Sequence, residues 1–174
     1  MGVHIRKTRS KNMRAISSTN TAIESTVKAF LEALSLKFVP QPKHIPGNPD
    51  FFVNDLNIAI FCHGCFWHAH DCALFKLPGT RQEFWQAKLH DNTIRDRKAL
   101  CQLHACGIRT LVIWECAVKG KEKLLPSVLP LLISTWLQGM HNIGIIDGTG
   151  LMNCQSPQEV TYQDLLRSHT NHMN

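Results

Sequence analysis

The segment Asp50–Cys72, DFFVNDLNIAIFCHGCFWHAHDC, joins two short apolar runs to a loop crowded with cysteines, histidines and aromatic residues. The runs 51–53 and 58–61 flank a polar turn, a pattern that predicts a β-hairpin with Asp50 and Cys62 at one end. A carboxylate beside a main-chain carbonyl at that position offers hard oxygen ligands, which suit magnesium rather than zinc. Aspartate after proline is also common in ordinary turns, so this pattern alone is a weak signal.

The loop after the hairpin holds a set of possible zinc ligands. Cys65, His70 and Cys72 lie within eight residues, and a structural zinc takes four thiolate or imidazole ligands. The best fourth ligand is Cys116, because it follows 111–115, an apolar run predicted as a buried strand. Two cysteines on a predicted helix fit less well, Cys101 and Cys106. We therefore expect zinc to stiffen the loop; the alternative is that these cysteines are small core residues.

Two histidines of the same loop, His63 and His68, remain outside this ligand set. Histidine titrates near neutral pH, which suits it to general acid or base chemistry. The same spacing fits two other roles equally well: these histidines could support neighbouring groups of a site, or they could simply be exposed at the surface. The spacing alone leaves these interpretations open.

Helical patterns occur on both sides of this segment. Thr21–Glu24 matches a capping box, and apolar residues then recur at helical spacing until about Leu36. A second capping box at Thr80–Glu83 predicts a helix that runs to Cys106, with a break near Asp91. Three basic residues are expected on a solvated face of that helix, Arg95, Arg97 and Lys98.

The strand predicted at 108–114 follows this second helix, so the chain crosses over onto the hairpin. That connection predicts an α/β fold with a mixed sheet and helices on both faces. Farther along, 124–137 is apolar and predicts a helix that its two prolines must begin or break, Pro126 and Pro130. Residues 139–150 contain four glycines and predict an irregular loop, and 158–174 predict a short amphipathic helix or a frayed tail.

The chain of 174 residues suits a single domain, and its net charge of +6 suits a polyanionic partner. Basic residues concentrate at the beginning with no acidic residue among them, at Arg6, Lys7, Arg9, Lys11 and Arg14. Residues 1–18 are thus predicted to form a basic DNA-binding arm, although a merely solvated tail is the alternative for its first members. No signal peptide or membrane span is expected, and seven cysteines, an odd number, favour a reducing cytoplasm over a disulfide framework.

Several motifs taken in order resemble the very short patch repair endonucleases of bacteria. The segments that carry the resemblance are 9–16 (RSKNMRAI), 21–24 (TAIE), 49–51 (PDF), 63–68 (HGCFWH) and 112–116 (VIWEC). The resemblance covers about Thr8 to Lys123 and fades after Leu124. It implies a restriction-endonuclease-like α/β fold, in which a mixed β-sheet is flanked by helices and one loop is stapled by zinc. Residues 1–174 would form a single nuclease domain with a divergent region at 124–174.

The resemblance also implies roles for the residues that match the motifs. Asp50 would bind magnesium together with the backbone carbonyl of Cys62, and His68 would be the general base. The supporting groups would be His63 and Glu24, and the structural zinc ligands would be Cys65, His70, Cys72 and Cys116. The family usually has threonine at the position of Cys62. A thiol beside the site would make the enzyme sensitive to oxidation or to soft metals.

The DNA-contacting residues implied by the resemblance are mainly aromatic. Those expected to wedge into the base stack beside the mismatch are Phe66, Trp67 and Trp85, with Met13 approaching from the other groove. Those expected near the mismatched pair are Lys88 and Asn92, and those expected in the basic arm are Lys11 and Arg14. Trp85 also lies at helical spacing from Leu89, so ordinary core packing is an equal alternative for it.

The expected activity is strand-specific nicking of DNA 5′ of the thymine in T:G mismatches that arise by deamination of 5-methylcytosine. The expected partners are duplex DNA with such a mismatch and mismatch-repair proteins, and the expected form is a monomer in the bacterial cytoplasm, associated with the nucleoid. Two other classes compete with this hypothesis. One is a non-catalytic DNA-binding protein stapled by zinc, and the other is a zinc hydrolase with His63 and His68 as catalytic ligands.

Overall fold

The computed structural model describes residues 21–162. The predicted basic arm, with Lys11, Met13 and Arg14, lies outside the described residues. The described elements follow one another as α1 (Ala22–Ala33), β1 (Val39–Pro40), β2 (Phe51–Val53), β3 (Ile58–His63), α2 (Gln82–Ala105), β4 (Arg109–Trp114), α3 (Val128–Gln138), β5 (Ile143–Asp147) and β6 (Gly150–Cys154). Short 3₁₀ turns occupy Asn54–Leu56, Glu115–Ala117 and Pro157–Glu159.

The strands form one six-stranded sheet in the order β1-β2-β3-β4-β5-β6. The pairs β3–β4 and β4–β5 are parallel, and the other neighbours are antiparallel. The predicted hairpin, the crossover and the mixed α/β sheet are therefore confirmed. His63 lies opposite Trp114 in the register, so the carboxyl ends of β3 and β4 meet at one edge of the sheet.

Helices cover both faces of the sheet. Alternate residues of β3 and β4 point to opposite sides, because successive side chains of a strand face opposite ways. On one side, residues of α1 and α3 pack with Ile58, Ile60, Leu111 and Ile113. On the other side, Leu100 and Leu103 of α2 pack with Ala59, Phe61 and Val112. The sheet is therefore held between two apolar layers, and its strand ends are fixed relative to the helices.

The helix boundaries differ in part from those predicted. The capping box at α1 is confirmed, and the helix ends at Ala33, a few residues before Leu36. The capping box predicted for α2 is wrong, because Arg81 precedes the helix in a left-handed conformation and no side chain caps it. The break predicted near Asp91 is also wrong, since α2 runs without interruption through a segment free of glycine and proline.

The region after α2 is more regular than predicted. Residues 139–150 do not form an irregular loop, because β5 and most of the β5–β6 hairpin lie there. Gly144 is needed for packing and not for a turn, since a Cβ on it would lie 2.5 Å from the Trp136 ring. Pro130 is in the first turn of α3, where a backbone N–H has no helical partner to lose. None of the helices in residues 21–162 is long and apolar enough to cross a membrane.

Candidate active site and metal centre

The four predicted zinc ligands come together at the carboxyl ends of β3 and β4. The ligand atoms of Cys65, His70, Cys72 and Cys116 all lie within 4.8 Å of one another. The Nδ1 atom of His70 is 3.7 Å from the Cys65 sulfur and 3.5 Å from the Cys116 sulfur. The two cysteines set aside, Cys101 and Cys106, are exposed. Three thiols and one imidazole fit the donor preferences of a thiophilic divalent cation.

Local backbone geometry explains how the loop presents these ligands. The N–H of His70 donates to the carbonyl of Cys65, and the N–H of Cys72 donates to the carbonyl of His70, both at 2.9 Å. Cys116 arrives from the 3₁₀ turn after β4, and the His70 ring stacks on Trp114 at 4.1 Å between centroids. The hydrogen bond from the Cys65 thiol lowers the pKa of Cys116, while the same bond and burial raise the pKa of Cys65. One thiol of this pair is therefore ready to bind a cation as thiolate.

Asp50 lies immediately before β2, beside the end of β3. Its Oδ2 accepts a hydrogen bond of 2.6 Å from the N–H of Cys62. Burial, which has the largest effect, and the nearby Glu24 carboxylate together raise the pKa of Asp50 to about 6, against the lowering effect of that hydrogen bond. A partly desolvated carboxylate without a full set of donors is suited to bind a cation. Burial also raises the pKa of the Cys62 thiol, so this side chain stays neutral.

Glu24 is buried at 8% exposure and completes the capping box of α1. Its Oε1 accepts hydrogen bonds from the hydroxyl and the N–H of Thr21, at 3.0 and 3.3 Å. The capping role is therefore confirmed. The influence of Glu24 on the pKa of Asp50 places it near that carboxylate, so the two roles are compatible.

His63 and His68 form a stacked pair, with ring centroids 3.8 Å apart and planes inclined by 4°. Burial, followed by the proximity of His68 and His70, lowers the pKa of His63 well below its usual value. His63 is therefore neutral at physiological pH. The Nδ1 of His68 lies 2.5 Å from Oδ2 of Asp96 on α2. In the tautomer that donates this hydrogen bond, Nε2 of His68 is left to accept a proton.

Asp96 is the residue of this site that sequence reasoning missed. It lies on α2 among basic residues that were expected on a solvated face. The ligand atoms of His63, His68 and Asp96 also fall within 4.8 Å of one another. However, the lone pairs of two parallel rings lie in parallel planes and do not converge on one ion. The stacked geometry therefore favours a proton-transfer group over a catalytic zinc site, contrary to the hydrolase hypothesis.

Aromatic side chains form a continuous group beside the histidines, contributed by the loop and by the beginning of α2. The ring of Phe66 is 5.1 Å from that of Trp67 and 5.4 Å from that of Trp85. The Lys88 ammonium lies 5.5 Å from the Trp67 ring, and the Asn92 amide donates to the Trp67 carbonyl at 2.7 Å. All three aromatics are half-buried. Trp85 therefore neither belongs to the core nor stands free in solvent.

The carboxylate of Asp50, the His68 ring held by Asp96 and the adjacent cluster of soft ligands thus lie at the carboxyl ends of β3 and β4.

Comparison with known proteins identifies the family. The family model described as DNA mismatch endonuclease Vsr matches residues 1–74. The DNA mismatch endonuclease Vsr of Escherichia coli (strain K12) is 45% identical over 149 residues, which cover 86% of this chain and 96% of that protein. The chain therefore belongs to the Vsr family of DNA mismatch endonucleases.

Two type II nicking enzymes are also similar to the chain. V.XorIIP of Xanthomonas oryzae pv. oryzae is 36% identical over 104 residues, 60% of this chain and 76% of that enzyme. V.NmeAIP of Neisseria meningitidis is 34% identical over 113 residues, 65% of this chain and 81% of that enzyme. The match to the Escherichia coli protein is longer than the segment Thr8–Lys123, so the similarity continues past Leu124.

Proposed function

We propose that this protein is a magnesium-dependent endonuclease that nicks one DNA strand 5′ of the thymine in T:G mismatches produced by deamination of 5-methylcytosine. Membership in a family of mismatch endonucleases supports DNA as substrate and hydrolysis as reaction. The observation that carries the proposal is the position of Asp50. Its carboxylate accepts a hydrogen bond of 2.6 Å from the N–H of Cys62. It therefore lies at the end of β3, near the stacked rings of His63 and His68.

The two candidate metal sites differ in donor chemistry, and we assign them to different ions. The Cys65, His70, Cys72 and Cys116 set would hold zinc, with all four positions filled by protein and thus a structural role. Asp50 and the backbone carbonyl of Cys62 would hold magnesium through oxygen. Magnesium bound there would polarise the scissile phosphate and neutralise charge on the leaving 3′ oxygen.

The protein groups around Asp50 have complementary tasks in this reaction. His68 would take a proton from the attacking water through Nε2, while Asp96 holds the ring and stabilises its charged form. His63 would keep the ring of His68 in place by stacking, because its own lowered pKa leaves it neutral. Glu24 would add negative charge beside Asp50 and so favour cation binding over an empty site.

The aromatic group supplies a means of selecting the mismatch. A thymine–guanine pair stacks less well than a Watson–Crick pair, so inserting Phe66, Trp67 and Trp85 beside it costs less free energy there. The exposed ammonium of Lys88 would neutralise a nearby phosphate. The hydrogen bond from the Asn92 amide to the Trp67 carbonyl would hold the backbone of the loop that carries Phe66 and Trp67. Direct contacts of Lys88 and Asn92 with the mismatched bases stay predictions.

We propose that residues 1–18 bind DNA phosphates, with Met13 in the groove opposite the wedge and Lys11 and Arg14 on the backbone. We further propose that the protein acts as a monomer in the bacterial cytoplasm, on nucleoid DNA and alongside mismatch-repair proteins.

A strand-resolved nicking assay tests the proposal. Duplexes with each strand labelled in turn would carry a T:G pair, or a C:G pair in the same context, and would be incubated with magnesium or with calcium. We expect a single cut 5′ of the mismatched thymine, dependent on magnesium. Tight mismatch binding without any cut would favour the non-catalytic DNA-binding protein, and a cut independent of magnesium would contradict the assignment of Asp50.

A further inference from the structure

The turn between β5 and β6, residues 147–149, lies against the four candidate zinc ligands, which we call the Cys/His cluster: Cys65, His70, Cys72 and Cys116. His70 faces the cluster sulfurs with Nδ1 and faces Asp147 with its other nitrogen, since Nε2 is 3.6 Å from Oδ2 of Asp147. This distance is within ion-pair reach, but it is about 0.6 Å longer than a typical N–H···O hydrogen bond. Both side chains are largely shielded, at 15% and 25% exposure. His70 therefore stands between the candidate metal ligands and a carboxylate.

Asp147 is itself held in place by its own turn. Its Oδ1 accepts hydrogen bonds from the N–H and from the hydroxyl of Thr149, both at 2.7 Å. These bonds occupy one carboxylate oxygen and leave the other toward His70. The orientation of Asp147 is thus set by bonds within the hairpin turn itself.

The next residue ties the same turn to another ligand. Gly148 brings the backbone of the turn close to Cys116. A Cβ on Gly148 would lie 2.8 Å from the Glu122 carbonyl oxygen and 3.3 Å from that of Cys116. Only glycine allows the turn to approach this closely, so the turn contacts two of the four ligands.

We propose that Asp147, held by Thr149, is the positioning residue for His70 and makes the β5–β6 turn part of the metal site. A histidine that binds a metal through one nitrogen donates the other N–H to a carboxylate, which fixes the tautomer and strengthens the metal bond. Asp147 is placed to select the tautomer with the proton on Nε2 and the free lone pair on Nδ1, the atom nearest the sulfurs. This inference rests on the zinc assignment made above.

The test compares zinc retention in the full-length, zinc-loaded protein. Zinc affinity would be measured by competition with a chromogenic chelator for the parent, Asp147→Ala, Asp147→Asn and Thr149→Val. Asp55→Asn, which alters an exposed acidic residue of the β2–β3 turn, is the matched control. We expect zinc affinity to fall by about 10- to 100-fold in Asp147→Ala, less in the other two variants and not at all in the control.

A second measurement distinguishes a role of Asp147 in orienting His70 from a role in stabilising its own turn. In ¹⁵N-histidine spectra of the loaded parent, the His70 Nε2 proton should be visible and protected from exchange, and Asp147→Ala should lose that protection. Asp147→Asn keeps an acceptor oxygen and should retain part of the exchange protection. This variant also provides the test if Asp147→Ala does not fold. Unchanged zinc retention, or zinc loss with an unchanged Nε2 proton signal, would overturn the inference. A parent that binds no zinc would instead remove the zinc assignment itself.

Discussion

The Cys/His cluster and the site around Asp50 are neighbours at the ends of β3 and β4, but they are built in opposite ways. The cluster brings its four ligand atoms within 4.8 Å of one another. Asp50 has one close hydrogen bond, from Cys62, and a pKa raised to about 6. The cluster draws four soft ligands from the protein, whereas Asp50 offers a single buried carboxylate. Under the proposed function, the cluster would contribute rigidity and Asp50 would contribute to the reaction.

Removal of one cluster ligand gives the largest expected effect. Cys72→Ala should lose the zinc and unfold the domain or strongly destabilise it, because structural zinc contributes on the order of 10 kcal/mol of folding free energy. Elemental analysis and thermal unfolding measure the two effects. Cys101→Ala, an exposed thiol outside the cluster, is the control and should behave as the parent. Full zinc content in the Cys72 variant would show that the cluster is ordinary core packing.

A change at Asp50 should affect activity and leave the fold and its zinc intact. Asp50→Asn removes the charge that would hold magnesium, so nicking should fall by about a thousandfold or more while zinc content stays the same. Mismatch binding should survive or tighten, because a carboxylate repels phosphate when no cation is bound. Nicking rates with magnesium and mismatch affinity are measured side by side. Near-parent nicking would exclude Asp50 from the reaction.

The contact between His68 and Asp96 provides the next test. His68→Ala should slow the chemical step by about 10² to 10⁴ if this histidine is the general base. Asp96→Asn should slow it by a smaller factor, on the order of tenfold to a hundredfold, because the ring loses its orienting charge but remains. Single-turnover nicking measures both variants. Asp91→Asn changes an exposed residue on the same helix, and equal rates for it and for Asp96→Asn would assign Asp96 no role.

A smaller effect is expected at the wedge. Trp67→Ala should reduce mismatch preference by about tenfold, since stacking of an aromatic side chain on a base contributes about 1–3 kcal/mol. Trp67→Phe keeps an aromatic face and should retain most of the preference. Competition between mismatched and matched duplex measures the ratio. If alanine and phenylalanine behave alike, the aromatic group only packs the loop.

The smallest expected effect is a pH-dependent change in stability at Asp50. Its pKa is about 6 in the folded protein against the ordinary value of 3.8, so the folded state holds more protons between these values. Parent stability should therefore fall as pH rises through this window, and Asp50→Asn should not share that loss.

The full pKa difference corresponds to about 3 kcal/mol, but residual solvent and the weaker hydrogen bond of asparagine reduce the expected gain to about 1 kcal/mol. Denaturant unfolding without added magnesium, at pH 5 and pH 8, measures it. The variant should exceed the parent by less at pH 5 than at pH 8. A difference that is the same at both values would exclude ionisation of Asp50 as its cause.

Sequence alone determined the parts of this protein that depend on neighbours in the chain. The hairpin β2–β3 follows from two apolar runs around a polar turn, and the α1 cap follows from Thr21 and Glu24. Three ligands of the cluster lie within eight residues, so a single loop suffices to gather them. The fourth, Cys116, was predicted because it follows 111–115, an apolar run typical of a buried strand that ends at the rim of the sheet.

Tertiary structure alone decided the residues that act across the sheet edge. Asp96 belongs to a helix with charges all along its exposed side, and helical periodicity does not tell which of them meets His68. Asp147 and the β5–β6 hairpin lie where glycines predicted a loop, because Gly144 is required by the Trp136 ring and not by a turn. Such contacts arise between segments far apart in the chain, and packing selects among polar residues that a sequence pattern treats as equivalent.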